Sequence, residues 1–302
     1  MALIVVGSVA FDAIETPFGK TGKILGGAGT FISLSSSYFN ISPKLISVVG
    51  GDFPDEHINL LKEHNVNTEG LQVKSDKKTF FWSGKYHDDM NSRDTLITEL
   101  NVLGEFNPVV PESFQGASVV MLGNLSPDVQ RKVIEQLRNR PALIVMDTMN
   151  FWMDIALDEL LRTIKMVDVI TLNDEEARQL SGEKSLVLAA KKILELGPKY
   201  VIIKKGEHGA LLFDKNNIFF APALPLEFVF DPTGAGDTFA GGFSGYLAKT
   251  QDFSFNNMKK AVVYGSAMAS FCVEKFGTEN LVGLNDKIIN ERFKKFVELI
   301  NF

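Results

Sequence analysis

The segment DPTGAGDTFAGGF, residues 231–243, has two glycines around an alanine, followed at once by an acidic residue. Gly234 and Gly236 allow a tight turn whose backbone N–H groups stay free to bind a ligand. Apolar residues then recur at the spacing of one helix face: Phe239, Phe243, Tyr246 and Leu247. The sequence therefore predicts a turn that leads into a helix N-terminus, where N–H groups and the helix dipole favour an anion.

Asp237 stands directly beside this predicted anion site. A carboxylate in that place can accept the proton of an attacking hydroxyl group. Phosphoryl transfer needs this arrangement, because negative charge must be stabilised on the group that moves. The alternative is that Asp237 only favours the start of a helix and that the glycines only turn the chain. For the four residues 234–237 taken alone, that alternative is the more common case.

Short apolar runs rich in β-formers recur along the chain, and each leads into a glycine or a polar residue. They lie at residues 3–7, 44–49, 118–122, 143–146, 167–172 and 200–203. Helical patterns separate them, as at 127–137 and 184–196. Alternating strands and helices predict an α/β fold with a mostly parallel sheet flanked by helices. Ligands bind such sheets at the carboxyl ends of the strands.

Two stretches, residues 11–23 and 71–105, interrupt this alternation. The second contains the aromatic segment 79–86, which is rich in strand formers. We expect both to form a small β-sheet that stands off the main sheet as a lid. The alternative is an antiparallel extension at the edge of the main sheet. No repeat or linker forces a second domain, so residues 1–302 are expected to form a single domain.

With its flanks, the segment 231–243 closely resembles the signature of the ribokinase-like (PfkB) kinases of sugars and nucleosides. The resemblance implies that Asp237 is the catalytic base. It also implies that the backbone of Gly234, Ala235 and Gly236 forms the hole that binds the anion. Other blocks resemble the same family in the same order along essentially the whole chain, so convergence on one motif does not explain the match.

The first half of the chain carries the blocks that relatives use for the acceptor. GGAGT, residues 26–30, resembles the family's di-glycine motif, and Asp12 matches a carboxylate that holds substrate hydroxyl groups. Asn124 stands near the place where relatives use a carboxylate on the sugar. The implied acceptor-binding residues are Asp12, Gly26, Gly27, Thr30 and Asn124.

The second half carries the blocks that relatives use for ATP and Mg²⁺. Asn173 and Glu176 match the family's N-x-x-E motif, although the same spacing also describes a helix capping box. Residues 204–209 and 271–277 match regions beside the nucleotide. The implied cofactor-binding residues are Asn173, Glu176, Lys204, Gly206, Gly209 and Thr233. Glu176 would hold Mg²⁺ through water, and Asp231 would lie near a monovalent cation such as K⁺.

Three positions depart from the family pattern. Phe31 stands where an asparagine is frequent, and Lys204-Lys205-Gly206 replaces the usual Thr-x-Gly. Asn124 replaces a carboxylate. These changes leave the phosphoryl-transfer residues intact and argue against ribose itself as the acceptor.

Composition limits the other classes of function. A net charge of −6 argues against a nucleic-acid partner, which would call for a basic face. The one cysteine, Cys272, suggests a reducing compartment. The apolar start lacks a basic segment and a cleavage site, and no apolar run approaches membrane-spanning length. We therefore expect a cytoplasmic protein with no membrane partner and, from the lid pairing of several relatives, a homodimer.

The expected activity is transfer of the γ-phosphoryl group of ATP to a hydroxyl of a small sugar. The alternative acceptor is the ribose of a nucleoside. A rival from another class is a catalytically silent protein that binds sugars or nucleotides. The presence of both Asp237 and the Asn173–Glu176 motif argues against that rival.

Overall fold

The structure is a computed structural model that describes residues 2–301. Its strands in chain order are β1 (Leu3–Val6), β2 (Ala10–Thr16), β3 (Gly19–Lys20), β4 (Ile24–Gly26), β5 (Pro43–Gly50), β6 (Asn67–Lys74), β7 (Phe81–Tyr86), β8 (Arg93–Glu99), β9 (Val119–Leu122), β10 (Leu143–Asp147), β11 (Val169–Asn173), β12 (Tyr200–Lys204), β13 (Ala210–Phe213) and β14 (Ile218–Ala221). They form a large sheet of nine strands and a small sheet of five.

The helices lie mostly between strands of the large sheet. They are α1 (Ala28–Ser37), α2 (Asp55–Glu63), α3 (Pro127–Glu135), α4 (Asn150–Ile155), α5 (Leu157–Ile164), α6 (Asp174–Ser181), α7 (Leu186–Glu195), α8 (Ala235–Thr250), α9 (Phe255–Cys272) and α10 (Asp286–Ile300). Short 3₁₀ turns cover Asn101–Glu105, Glu112–Phe114 and Gly206–His208. Within residues 2–301, no helix has the length and apolarity needed to cross a membrane.

The large sheet has the strand order β14-β13-β12-β11-β10-β9-β1-β5-β6. Every neighbouring pair from β12 to β6 is parallel, and β13 and β14 extend the sheet antiparallel. The six apolar runs identified in the sequence form β1, β5, β9, β10, β11 and β12. The carboxyl ends of the parallel strands meet at one edge of the sheet, and this edge positions the site.

Alternate residues of β1 show why these strands are apolar throughout. Leu3 and Val5 belong to one buried cluster, together with residues of α8 and α9. Ile4 and Val6 belong to a second cluster on the opposite face, with residues of α3, α5 and α7. Burying a side chain of this size contributes about 1.5–3 kcal/mol, so a sheet that is covered on both faces favours apolar residues at every position.

The small sheet has the order β3-β2-β7-β8, and β4 also pairs with β2. It takes residues 81–99 from the predicted lid segment 71–105. The first residues of that segment, 71–74, lie instead in β6, which pairs in parallel with β5 at the edge of the large sheet. The pattern did not separate them because β6 is only partly buried and therefore lacks a continuous apolar run.

Candidate active site

The turn before α8 forms a candidate anion hole. Gly234 is the N-cap residue, with φ +74°, and a Cβ there would lie 2.5 Å from the ring of Phe31. A side chain would therefore be strained and would clash, which explains the glycine. Phe31 is 1% exposed, so it packs beneath the turn where relatives have asparagine. The first N–H groups of a helix have no partner within the helix.

The N–H groups of this turn differ in their partners. Within residues 2–301, neither Gly234 nor Gly236 gives its N–H to any acceptor. The N–H of Ala235 donates to the carbonyl oxygen of Pro232 at 3.2 Å. The predicted three-donor hole is therefore reduced to Gly234 and Gly236 in this conformation. Free donors at a helix N-terminus fit a phosphate group.

Asp237 is the third residue of α8 and is partly buried. Burial, together with the negative charge of Asp147, raises the pKa of its carboxyl group from 3.8 to about 7. The positive charge of Lys204 opposes this increase. A carboxyl group that titrates near neutral pH beside an anion hole has the properties of a general base.

Lys204 lies beside this site, at the carboxyl end of β12. Its Nζ lies 3.0 Å and 3.2 Å from the two carboxylate oxygens of Asp147, which ends β10. Thr171, on the intervening strand β11, donates its hydroxyl to Asp147 at 2.7 Å. Asp147 and Thr171 were not among the predicted site residues. The position of Asp147 directly after the apolar run 143–146 was the available signal.

Asp12 lies on β2 of the small sheet, close enough that its charge acts on Asp237. Its Oδ2 accepts the N–H of Gly27 at 3.3 Å and lies against Gly26. Burial raises its pKa to about 7, although the bond from Gly27 opposes this. Thr30 is fully buried and donates its hydroxyl to the carbonyl oxygen of Gly26 at 2.7 Å. Thr30 therefore stabilises this turn, because its hydroxyl is enclosed and does not reach the cleft.

Asn124 follows β9 at the same edge of the sheet. Its Oδ1 accepts the indole N–H of Trp152 at 2.9 Å, and its amide nitrogen lies 3.0 Å from the sulfur of Met149. The residue is partly buried. The contacts fix the orientation of the amide, so Asn124 and Trp152 form one unit at the strand ends.

Asn173 and Glu176 form a capping box at the start of α6. The side chain of Asn173 accepts the N–H of Glu176 at 2.7 Å, and Glu176 accepts the N–H of Asn173 at 2.7 Å. The pKa of Glu176 is raised to about 7, mainly by burial; the positive charge of Lys204 lowers it and the negative charge of Asp147 raises it within that net value. The capping role proposed as an alternative is therefore present. Within residues 2–301, the other carboxylate oxygen of Glu176 makes no hydrogen bond. Carboxylate oxygen is the ligand type that Mg²⁺ prefers.

Asp231 joins the loop at Thr233 to the loop at Gly277. Its carboxylate accepts the N–H of Thr233 at 2.8 Å and the N–H of Gly277 at 2.8 Å. Burial raises its pKa despite these bonds. The hydroxyl of Thr233 lies 3.2 Å from that of Tyr86 on β7, so the small sheet contacts the anion-hole turn directly.

Gly206 and Gly209 lie in the turn that joins β12 to β13. A Cβ on Gly206 would lie 3.1 Å from Asn91 in the turn between β7 and β8. The small sheet therefore contacts the candidate nucleotide turn as well as the anion hole. Asp12, Asp147, Lys204 and Asp237 lie close enough that the charges of the other three shift the pKa of Asp237.

Comparisons with known proteins identify the family of this chain. Residues 2–283 match the model of the family described as pfkB family carbohydrate kinase. A cytidine kinase of Thermococcus kodakarensis is 31% identical over 249 residues, covering 81% of this chain and 88% of that protein. A nucleoside kinase of Methanothermobacter thermautotrophicus is 25% identical over 289 residues, covering 92% and 91%.

Solved structures show the same fold. The crystal structure of the nucleoside kinase of Methanocaldococcus jannaschii, described as an archaeal member of the ribokinase family, superposes with a TM-score of 0.80. It is 23% identical and covers 97% of this chain and 98% of its own. The predicted ribokinase-like fold and the kinase class are therefore confirmed, and the chain belongs to the pfkB family of carbohydrate kinases.

Proposed function

We propose that this protein transfers the γ-phosphoryl group of ATP to a hydroxyl group on the ribose of a nucleoside. The observation that carries the proposal is Asp237, a carboxyl group with a pKa of about 7 beside two free N–H groups at a helix N-terminus. The choice of a nucleoside over a free sugar is supported by two relatives that match over most of their length, a cytidine kinase at 31% identity and a nucleoside kinase at 25% identity.

In the proposed step, the acceptor oxygen forms a bond to the γ-phosphorus of ATP. The bond from that phosphorus to the β,γ-bridging oxygen breaks, and ADP leaves with the electron pair. Asp237 takes the proton of the acceptor hydroxyl. Gly234 and Gly236 donate their N–H groups to the oxygens of the moving group, where negative charge must be stabilised.

The residues on the nucleotide side fit ATP and Mg²⁺. The cation of Lys204 and the free N–H groups suit phosphate oxygens, and Gly206, Gly209 and Thr233 lie in the turns around them. Asn173 orients Glu176, whose carboxylate would hold Mg²⁺ through water. When bound, Mg²⁺ supplies positive charge that screens the phosphate oxygens from each other.

On the acceptor side, Asp12 would hold ribose hydroxyl groups, supported by the backbone of Gly26 and Gly27. Asp12 and Asp237 lie close enough for their charges to interact, because the negative charge of Asp12 is among the causes that raise the pKa of Asp237. Asn124, fixed by Trp152, would contact the part of the acceptor beyond these hydroxyls.

The activity is tested by incubating the purified protein with Mg²⁺ and ATP against a panel of nucleosides and sugars. ADP release and the phosphorus spectrum of the product identify the acceptor and the hydroxyl that is phosphorylated. We expect at least one nucleoside to be turned over faster than any free sugar. A faster free sugar would contradict the choice of acceptor. Binding of an ATP analogue with no acceptor-dependent ADP release would favour the catalytically silent binding protein.

A monovalent cation is part of the proposal. Asp231 joins the loops at Thr233 and Gly277, and a K⁺ ion beside its carboxylate would stabilise the same junction. The turnover rate should therefore be higher in potassium than in sodium. Equal rates in the two salts would contradict a role for K⁺.

The small sheet is proposed to be a lid within a single domain, residues 1–302. Its contacts through Tyr86 and Asn91 support closure over the cleft. Its edge strand β8 is exposed along its length and includes Leu96, 53% exposed, and Ile97, 45% exposed. This surface supports the homodimer proposal, and a monomer at micromolar concentration in sedimentation would contradict it. A cytoplasmic location belongs to the same proposal.

A further inference from the structure

The side chain of Lys204 lies directly against the anion hole. Its Nζ is 3.2 Å from the point that a Cβ on Gly236 would occupy, and its Cε is 3.9 Å from that point. Gly236 has no positive φ that would demand a glycine. The missing side chain at position 236 therefore leaves room for an ammonium group beside the free N–H of that residue.

The position of this ammonium is fixed by a contact chain across three neighbouring strands. Asp147 on β10 lies opposite Thr171 on β11, and Asn173 on β11 lies opposite Lys204 on β12. Asp147 accepts hydrogen bonds from both Thr171 and Lys204. The hydrogen bond from Thr171 holds the carboxylate of Asp147 in one orientation. This orientation determines where the ammonium group of Lys204 lies.

The charges around Lys204 are mainly negative. Asp147, Glu176 and Asp237 all raise its pKa, while burial opposes them. Arg93 of the small sheet also acts on Asp237 and Glu176, but its side chain lies over the ring of Trp82 and is exposed. Lys204, whose side chain is 18% exposed, is therefore better enclosed in this cluster than Arg93. The oxygens of an entering phosphoryl group can accept hydrogen bonds from the N–H groups of Lys204 that do not contact Asp147.

We propose that Lys204 is a catalytic residue that contacts the transferred phosphoryl group, and that Asp147, fixed by Thr171, is the positioning residue that holds the ammonium at the anion hole. The inference rests on the proposed kinase function. The alternative is that the Lys204–Asp147 ion pair is purely structural. In that case, breaking the pair would lower stability but would not change the preference for AMP-PNP over ADP.

The test compares equilibrium binding of ADP with that of AMP-PNP, an ATP analogue with nitrogen in the β,γ-bridge, by calorimetry with Mg²⁺ present. Lys204→Met should weaken AMP-PNP binding about tenfold to hundredfold, because a charge-assisted hydrogen bond is lost. Binding of ADP should change less than threefold. Lys204→Arg should restore part of the preference for AMP-PNP.

Lys205 provides a matched control at the same strand end. It has the same charge, but its Nζ lies 5.7 Å from the centre of the Phe220 ring. Lys205→Met should therefore leave the AMP-PNP to ADP ratio unchanged. If the AMP-PNP to ADP affinity ratio fell equally in Lys204→Met and Lys205→Met, the preference would depend only on the general positive charge. That result would overturn the assignment to Lys204.

Asp147→Asn separates positioning from structure. The neutral amide no longer holds the ammonium at the anion hole, so the preference for AMP-PNP over ADP should fall, though less than in Lys204→Met, and kcat should fall about tenfold or more. An unchanged AMP-PNP to ADP ratio and an unchanged kcat in Asp147→Asn would contradict the positioning role of Asp147.

A double variant guards against misfolding. Lys204→Met leaves Asp147 buried without its cation, whereas Lys204→Met with Asp147→Asn removes both charges together. The double variant should fold, bind ADP and still lose the preference for AMP-PNP. Retained preference in the double variant would overturn the proposal. Failure of the unmodified protein to bind AMP-PNP at all would instead refute the kinase function itself.

Discussion

Replacing Asp237 by asparagine should stabilise the protein at alkaline pH even though it removes the proposed base. Burial and the neighbouring Asp147 raise the pKa of Asp237 from 3.8 to about 7. The charged form is therefore disfavoured in the folded state. Asparagine has nearly the same shape and cannot ionise, so it avoids this cost.

The size of the effect follows from the two pKa values. A raised pKa means that the folded state holds its proton more tightly, so stability is greatest below the unfolded pKa and is lost as pH rises through about 7. A difference of about 3 units at about 1.4 kcal/mol per unit gives a gain of at most about 4 kcal/mol at pH 8. At pH 5, where Asp237 is still protonated in the folded protein, the gain should be below about 2 kcal/mol.

Urea unfolding of the unmodified protein and of Asp237→Asn, at pH 5 and pH 8, measures this difference. Asp286→Asn is a matched control, because Asp286 is exposed in the first turn of α10. There the helix dipole favours the charge, so its loss should cost up to about 1 kcal/mol at both pH values. If Asp237→Asn is no more stable than the unmodified protein at pH 8, ionisation of Asp237 does not destabilise the folded protein, and the reasoning is refuted.

Three further predictions concern other parts of the site. Glu176→Gln should keep the capping box with Asn173 but remove the charge, so the Mg²⁺ concentration for half-maximal activity should rise several-fold; an unchanged titration would leave Glu176 with the capping role alone. Tyr86→Phe removes the hydroxyl beside Thr233, so amide hydrogen exchange in residues 81–99 should become faster and acceptor KM should rise; unchanged exchange would show that this contact does not hold the lid. Phe31→Ala should lower the free energy of unfolding by about 3–5 kcal/mol in urea, because a fully buried ring is lost; a loss below about 1 kcal/mol would show that the turn does not depend on this packing.

Much of the fold was predictable because buried parallel strands are apolar at every position. The run at 143–146 shows this well, since it leads into Asp147 at the carboxyl end of β10. The boundary of the small sheet was less predictable. β6 has mixed burial and resembles a lid strand in sequence, although it pairs with β5.

The site was predictable where its residues are close in sequence. The turn before Asp237 and the pair Asn173–Glu176 are local patterns with a direct physical meaning. The partners that complete the site come from far along the chain. Lys204 and Asp147 are 57 residues apart, and Tyr86 and Thr233 are 147 apart. No local pattern indicates such pairs, because only the order of strands in the sheet brings them together.

The central claim is that Asp237 accepts the proton of the acceptor hydroxyl at this anion hole. The most direct measurement is kcat of Asp237→Asn with the identified acceptor, together with the dissociation constant of AMP-PNP. The account predicts that kcat falls about 10²- to 10⁴-fold while the dissociation constant changes less than threefold. A near-native kcat with intact nucleotide binding would contradict it.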